Sequence, residues 1–188
     1  MLNASPSMNS SGFSLIELLI GIAIFGIAMS FGMSSFSVWT QNSQIRTAAE
    51  SIQNGLQRAR GEAVQLNTNV AFILGANSDW SVNAIAANGT PINPAIDSRS
   101  SNEGSRNVTR NVTPGGATMV TFNSLGTIGV RNNPPFNVDG SAPIRQILLD
   151  SAVLSAADSR ELRVWIGNAA GVGGSIKICD PNLAAVCP

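Results

Sequence analysis

The sequence predicts an α+β fold: a long N-terminal helix, transmembrane in its first half and amphipathic in its second, packed against a C-terminal antiparallel β-sheet domain. Three observations support this prediction. Leu18 to Phe36 are 19 uncharged residues, and a helix of about 20 apolar residues crosses about 30 Å of hydrocarbon. Apolar residues then recur at steps of three or four, as on one face of a helix. Beyond residue 68, short β-rich runs alternate with turn residues, which is typical of antiparallel strands.

The composition argues against several kinds of function. Eleven basic and eleven acidic residues give a formal net charge of zero, so no strong global field attracts nucleic acid or anionic lipid. Histidine is absent, which removes His-based nucleophile triads and the commonest metal ligand. The two cysteines, Cys179 and Cys187, cannot complete a structural zinc site by themselves. We therefore expect no enzyme, no metal and no cofactor.

Residues 1–12 are short, polar and without apolar periodicity. In a secretory signal the small-residue cleavage site follows the apolar run. Here the small residue, Gly12, comes before that run. Cleavage at Gly12 would therefore leave the apolar segment on the mature protein.

A single carboxylate, Glu17, lies at the entrance to the apolar run. An ionisable group inside a membrane costs about 2.5–3.5 kcal/mol on insertion scales, so it is a functional candidate by default. The alternative is that Glu17 marks the membrane edge and reaches water. Gly26, Ser30 and Ser34 recur every fourth residue; they indicate either close helix packing or tolerated lipid-facing positions.

Residues 41–66 are predicted to form the amphipathic half of the helix. Its apolar stripe should carry the sheet domain and consists of Ile45, Ala48, Ile52, Leu56, Ala59, Ala63 and Leu66. The charged residues expected on its outer faces are Arg46, Glu50, Arg58, Arg60 and Glu62. Gly55 and Gly61 are expected to loosen the helix, each by up to about 1 kcal/mol relative to Ala.

The remainder of the chain is predicted to form one antiparallel sheet or two small ones. The predicted strands are Asn69 to Leu74, Trp80 to Ile85, Ala117 to Phe122, Ile144 to Leu149, Leu162 to Ile166 and Ser175 to Cys179. Residues 86–116 are rich in Asn, Ser, Gly, Pro and Arg and are predicted to form a long, partly mobile loop. Gly167 to Gly174 is predicted to form a hairpin loop.

The segment from Gly12 to Leu19 closely resembles the N-terminal signature of type IV pilins and type II secretion pseudopilins. In that family a prepilin peptidase cuts after the glycine, and the new N-terminal Phe is methylated. The resemblance implies a leader peptide over 1–12, cleavage and N-methylation at Gly12 and Phe13, a transmembrane and filament-core helix over 13–38, and a periplasmic pilin-like domain over 39–188. Glu17 would be the fifth mature residue and would pair with the N-terminal amine of a neighbouring subunit.

A narrower resemblance covers much of the remaining chain. Arg46 to Glu50 and Leu56 to Val70 are similar to the helix-to-strand junction of the GspH/FimT/FimU group of minor pilins. Thr121 to Thr127 resembles that group's mid-domain strand and turn, and Gly174 to Pro181 its closing strand. The group implies a low-copy subunit that supports type IV pilus assembly, commonly near the tip. A GspH-like minor pseudopilin of type II secretion is the alternative.

The resemblance also implies partners and a location. The chain would meet prepilin peptidase and an inner-membrane assembly platform, and its filament partners would be other pilins or pseudopilins. It would cross the bacterial inner membrane once, with the C-terminal domain in the periplasm, and then enter a pilus or pseudopilus filament. In that oxidising compartment Cys179 and Cys187 should form a disulfide, which would stabilise the tail by roughly 2–3 kcal/mol.

Some members resembling this group take part in DNA uptake through a Gly-Arg-x-Arg stretch before the C-terminal cysteine. Here the aligned residues are Gly174-Ser175-Ile176-Lys177, so one arginine is replaced and the other is lysine. Lys177 could contact phosphate, together with Arg106 and Arg110 in the long loop. One cation gives little affinity, and solvated loop arginines are the commoner explanation.

Overall fold

A computed structural model of the chain describes residues 13–129, 137–167 and 175–183, and gives the backbone alone at 31–34. Within these residues the chain forms one long helix, α1 (Leu15–Gln65), eight strands and a short 3-10 helix (Pro181–Leu183). The chain divides into two units, Met1–Ser37 and Val38–Pro188. In the first unit the described residues are almost entirely the N-terminal part of α1. The other elements all belong to the second unit.

Two antiparallel four-stranded sheets make up the second unit together with the C-terminal part of α1. Sheet 1 has the strand order β3-β2-β1-β5, and sheet 2 has the order β4-β6-β7-β8. The strands are β1 (Val70–Leu74), β2 (Trp80–Ala84), β3 (Asp97–Arg99), β4 (Val108–Thr113), β5 (Met119–Phe122), β6 (Gln146–Ser151), β7 (Leu162–Ile166) and β8 (Ile176–Cys179). The six predicted strands are therefore confirmed within one or two residues, and the domain has two sheets.

The core lies where the helix meets the two sheets. The stripe residues Ile45, Ala48, Ile52, Leu56, Ala59 and Ala63 are all fully buried, and Ala49 joins them. They pack with side chains from both sheets, among them Phe72, Val120, Ile147 and Val164. The helix periodicity thus identified the buried face of α1 correctly.

The stripe prediction was wrong at its last residue, because α1 ends there. Leu66 is 49% exposed. The amide of Asn67 donates to the carbonyl of Val64, and the amide of Thr68 donates to that of Ala63. Asn67 has a φ of 49°, so the helix closes in a Schellman motif with asparagine in the left-handed position. That turn leaves Leu66 outside the packed face.

Glu62 was also placed incorrectly by the sequence. We predicted it on an outer face, but it is 8% exposed. Its carboxylate lies 2.9 Å from the guanidinium of Arg58, one turn earlier on α1. A carboxylate is rarely buried unless it is paired, and this ion pair supplies the partner that its position requires.

The prediction of a long loop over 86–116 was wrong in two places, because β3 and β4 lie within it. β3 has only three residues, and its sequence, Asp-Ser-Arg, carries no apolar signal. In β4, Val108 faces the core while the next inward position is Arg110, opposite the buried Leu149. The inward row is therefore not uniformly apolar, and the alternation that predicts a strand is broken.

The two helix glycines differ in their surroundings, although the sequence predicts the same effect for both. A Cβ at Gly55 would lie 2.8 Å from Phe72 Cε2 and 3.0 Å from the Trp80 ring. Trp80 cannot easily move, because its Nε1 donates to Ser51 Oγ at 2.8 Å in the core. A Cβ at Gly61 would meet nothing within 4 Å. Gly55 is thus required by packing, and Gly61 is not.

We therefore expect opposite effects from the same substitution at these two positions. Gly55→Ala should lower the free energy of unfolding by about 1–2 kcal/mol, because overpacking a core exceeds the gain in helix propensity. Gly61→Ala should raise it by about 0.5–1 kcal/mol. Urea unfolding followed by near-UV circular dichroism measures both. A stabilised Gly55→Ala variant would contradict the close approach of α1 to sheet 1.

Candidate functional site

The N-terminus of α1 carries the first group of predicted site residues. Gly12 lies outside the described residues, and Phe13 is 86% exposed. Ser14 caps the helix: its Oγ accepts the amide of Glu17 at 3.3 Å, and its carbonyl accepts the amides of Glu17 and Leu18. Ser14 and Glu17 have the Ser-x-x-Glu spacing of a capping box. A carboxylate in the first turn also interacts favourably with the helix dipole.

The surface around Glu17 is apolar on every side of the helix. Large apolar side chains at least 54% exposed in this unit are Phe13, Leu15, Ile16, Leu18, Leu19, Ile20, Ile22, Ile24, Phe25, Ile27, Met29 and Phe36. The hydroxyl of Ser30 donates to the carbonyl of Gly26 at 2.9 Å, so it is satisfied within its own helix. A helix that is apolar all round is normally buried in protein or in lipid.

No single helix among the described residues is long and apolar enough to cross a membrane. Leu15–Ser30 and Ser35–Gln65 reach that length and apolar composition only when they are taken together. Among the described residues Glu17 forms no ion pair. A carboxylate that becomes buried among apolar side chains needs a cation and hydrogen-bond donors. The arrangement can therefore hold an amine or another cation supplied from outside this helix.

The second group of predicted site residues lies at the end of the chain. Cys179 ends β8 and is half-buried, opposite Arg163 in the register. Cys187 lies outside the described residues, so its disulfide with Cys179 remains a prediction. In the described ranges no three His, Cys, Asp or Glu side chains are placed to hold a metal ion.

The three candidate nucleic-acid contacts are not brought together. Arg106 is exposed in the loop before β4, where its Nε donates to Asn102 Oδ1 at 3.4 Å. Arg110 lies on edge strand β4 and is half-buried; its Nε donates to the carbonyl of Gly75 at 2.7 Å. Lys177 is exposed on β8, at the opposite edge of sheet 2. Arg110 thus links sheet 2 to the β1–β2 turn.

Two features were missed by sequence reasoning. The Ser14 cap could have been found from the spacing of Ser14 and Glu17, which is a known helix-start signature. The other is Trp165, which lies on the face of sheet 2 opposite the core, because the buried residues of β7 are Val164 and Ile166. The sequence predicts the strand Leu162 to Ile166 but does not show that Trp165 faces outward.

Comparison with known proteins gives two family matches. The model of type II transport protein GspH matches residues 48–170, and the prokaryotic N-terminal methylation motif matches residues 7–33. No curated protein matches the chain.

Two crystal structures of the type IV minor pilin FimU from Pseudomonas aeruginosa (strain PAO1) are similar to it. The first has 18% identity and a TM-score of 0.48, covering 77% of this chain and 94% of the other. The second has 18% identity and a TM-score of 0.45, with 73% and 94% covered.

The contacts of the two arginines predict different effects on stability. Arg110→Ala should lower the free energy of unfolding by about 1–3 kcal/mol, because it removes a half-buried charge-assisted hydrogen bond. Arg106→Ala, the matched exposed control, should stay within about 0.5 kcal/mol of the parent. The urea midpoint at unchanged m-value measures both. Equal stability of the two variants would show that Arg110 is as free as Arg106 to contact a ligand.

Proposed function

Because this chain belongs to the GspH family of type II transport proteins and carries the prokaryotic N-terminal methylation motif, we infer that it works as a filament subunit, either a minor pilin of a type IV pilus or a pseudopilin. Such a subunit is structural and assembles with other pilins. We propose the type IV pilus, with a low-copy position near the tip from which the subunit supports initiation of assembly.

The observation that carries the proposal is the apolar surface of α1 in the first unit. Isolated large apolar side chains on a surface need no explanation, whereas a contiguous exposed patch marks an interaction site. Here the exposed apolar side chains surround the helix from Leu15 to Met29. Lipid covers such a surface in the inner membrane before assembly, and helices of other subunits cover it in the filament.

The second part of the proposal is that the N-terminus is cleaved and methylated. Prepilin peptidase cuts between Gly12 and Phe13, so residues 1–12 leave and Phe13 carries the new amine, which is then methylated. This amine lies just before the capped start of α1, four residues from Glu17. The assembly platform in the inner membrane then receives a subunit whose helix begins almost at its terminus.

Glu17 selects the position of the subunit in the filament. Its carboxylate makes no ion pair in the described part of the chain and enters an apolar surrounding on assembly. The terminal amine of a neighbouring subunit supplies the charge that makes its burial acceptable. If neighbouring subunits were aligned so that the Glu17 carboxylate and the terminal amine did not meet, both charges would be buried without a partner.

The alternative is a minor pseudopilin of a type II secretion system, and the name of the matching family favours it. The predicted C-terminal disulfide favours the pilus instead. Neighbouring genes for a secretion system or for a pilus distinguish the two. DNA binding in transformation is the less supported alternative, because its candidate residues Arg106, Arg110 and Lys177 lie apart.

Cleavage is tested by expressing the full chain with and without prepilin peptidase. We expect the peptidase to remove residues 1–12 and to leave a methylated Phe13, which intact-mass spectrometry detects. Gly12→Val serves as the control, because a branched side chain next to the scissile bond should block processing. An unchanged mass in the presence of active peptidase would contradict the proposal.

Substitution of Glu17 separates membrane insertion from assembly. Glu17→Ala should still enter the membrane, since it removes only a charge. Its recovery in sheared filaments should fall more than about tenfold, because breaking a buried ion pair costs about 3–5 kcal/mol. Glu50→Ala, which removes an exposed carboxylate paired with Arg46, is the matched control and should assemble normally. Normal recovery of Glu17→Ala would reduce Glu17 to a marker of the membrane edge.

A further inference from the structure

One end of sheet 2 lies beside the point where α1 passes into the second unit. That unit begins at Val38, and about one turn later Asn42 Nδ2 donates to the carbonyl of Asp158 at 2.9 Å, in the loop between β6 and β7. Further along α1, Gln53 Nε2 donates to the carbonyl of Ile176 at 3.3 Å. Ile176 begins β8 opposite the last residue of β7, so it marks the other end of the sheet. The β6–β7 loop therefore lies at the end of sheet 2 nearer to Val38.

The β6–β7 loop, residues 152–161, exposes aliphatic side chains at this end. It begins with six uncharged residues, Ala-Val-Leu-Ser-Ala-Ala. Val153 is 59% exposed, the three alanines are exposed as well, and Leu154 is half-buried. A single exposed valine needs no explanation by itself. The place of this loop makes it informative, because the apolar part of α1 ends beside it.

Hydrogen bonds within the loop fix its conformation. Ser151 Oγ accepts the amides of Val153 and Leu154, each at 3.2 Å. The carbonyl of Ser155 accepts the amide of Asp158 at 3.0 Å, and the Ser155 hydroxyl donates to the carboxylate of Asp158 at 2.8 Å. The aliphatic side chains are thus presented by an ordered loop, which loses little conformational freedom when it binds.

Trp39 adds an aromatic side chain at the same end. It is 66% exposed and lies three residues before Asn42, so the two residues are neighbours on the surface of α1. Tryptophan is enriched where a protein passes through the membrane–water interface, because its ring is apolar and its N–H is polar. We call Trp39 together with the β6–β7 loop the Trp39 surface.

The charges around the Trp39 surface nearly cancel. The exposed ion pair between Arg46 and Glu50 on α1 adds no net charge. Attraction to anionic lipid requires an excess of basic residues, and here acidic residues exceed basic ones by one. Contact at this end must therefore depend on apolar side chains. The other charged residues here are the basic Arg106, Arg160 and Arg163 and the acidic Asp150, Asp158, Glu161 and Asp180.

We propose that the Trp39 surface rests on the lipid bilayer before the subunit enters a filament. The inference rests on the proposed function, which places the first unit in lipid at that stage. Trp39 then lies at the level of the headgroups, and Val153 enters the boundary between headgroups and acyl chains. The contact holds the second unit at the membrane surface, and it is lost when the subunit is extracted for assembly.

Lipid fits the Trp39 surface better than a protein partner does. A stable protein interface uses about 20–30 residues on each side, whereas this surface consists of one helix residue and one short loop. Shallow insertion into a bilayer needs no such area, because the first unit already supplies the anchor and brings the lipid to this end of the second unit. A few apolar side chains are enough to hold the loop there.

The test measures the depth of a nitroxide label on full-length protein in nanodiscs of phosphatidylcholine, which has no net charge, with one copy in each disc. Labels are placed at Ala156→Cys in the loop, at Ala23→Cys in the first unit, and at Ala87→Cys, an exposed position after β2 near the end of α1. Oxygen enters lipid and a water-soluble nickel chelate does not, so the ratio of their collision rates with the label measures depth. The parent chain, treated in the same way, gives the background from Cys179 and Cys187.

We expect the ratio at Ala156→Cys to exceed that at Ala87→Cys at least about threefold, as for a loop inserted at the interface. Val153→Asp should lower the proportion of inserted to free loop at least about tenfold, because it removes an aliphatic side chain from lipid and adds a carboxylate. Trp39→Ala should lower the same proportion. Ile92→Asp is the matched control: Ile92 is 50% exposed after β2, and its substitution should leave the ratio unchanged.

Two results would overturn the inference and leave the filament subunit intact. The first is a ratio typical of water at Ala156→Cys when Ala23→Cys gives a ratio typical of lipid. The second is burial of the Ala156→Cys label only in sheared filaments, which would assign the Trp39 surface to a neighbouring subunit. A ratio typical of water at Ala23→Cys would contradict the membrane stage of the proposed function as well. Urea unfolding curves verify the fold of each variant, and Trp39→Ala keeps the test valid if Val153→Asp is unstable.

Discussion

The β domain depends on how closely α1 approaches sheet 1. The buried face of the helix is built largely from alanine, and at Gly55 it has no side chain at all. Phe72 and Trp80 occupy the space that a larger residue would need, with their ring centroids 5.8 Å apart. The hydrogen bond from Trp80 to Ser51 fixes the ring against the helix. Small residues on the helix and large ones on the sheet thus interlock, as the close packing of protein interiors requires.

Polar contacts fix the same helix to sheet 2. Near its entry into the second unit, Asn42 binds the carbonyl of Asp158 and the amide of Arg160. Within the same turn, Gln44 accepts the backbone amide of Asn107 and Gln41 accepts its side-chain amide. Asn42 and Gln44 thus satisfy backbone groups just before β4 and β7 that would otherwise need water. Apolar packing therefore holds α1 from Ile45 to Ala63, and side-chain amides hold it just before that stretch.

The sequence predicted the buried helix face well because a repeat of three or four residues has a direct geometric meaning. The sequence prediction failed where a tertiary contact determines the burial or the hydrogen-bond partner of a residue. The sequence alone predicts Arg110 to be a solvated loop arginine, whereas in the structure it donates to the carbonyl of Gly75. Glu62 is likewise predicted to be a surface charge, whereas it is buried and paired with Arg58. The N-terminal signature was recognised from local residues alone, because its chemistry is local. The outward position of Trp165 needed the strand register, which local sequence does not contain.

The two units differ in where their apolar side chains lie. In the first unit the large apolar side chains are exposed around the helix, and Glu17 is the one charged side chain among the described residues. In the second unit the apolar side chains are buried between α1 and the two sheets, and the outward face of sheet 2 lies outside that core. The half-buried Trp165 ring lies over Gly167 on this face, where a Cβ would be only 2.0 Å from Cζ3, so packing restricts this position to glycine even outside the core.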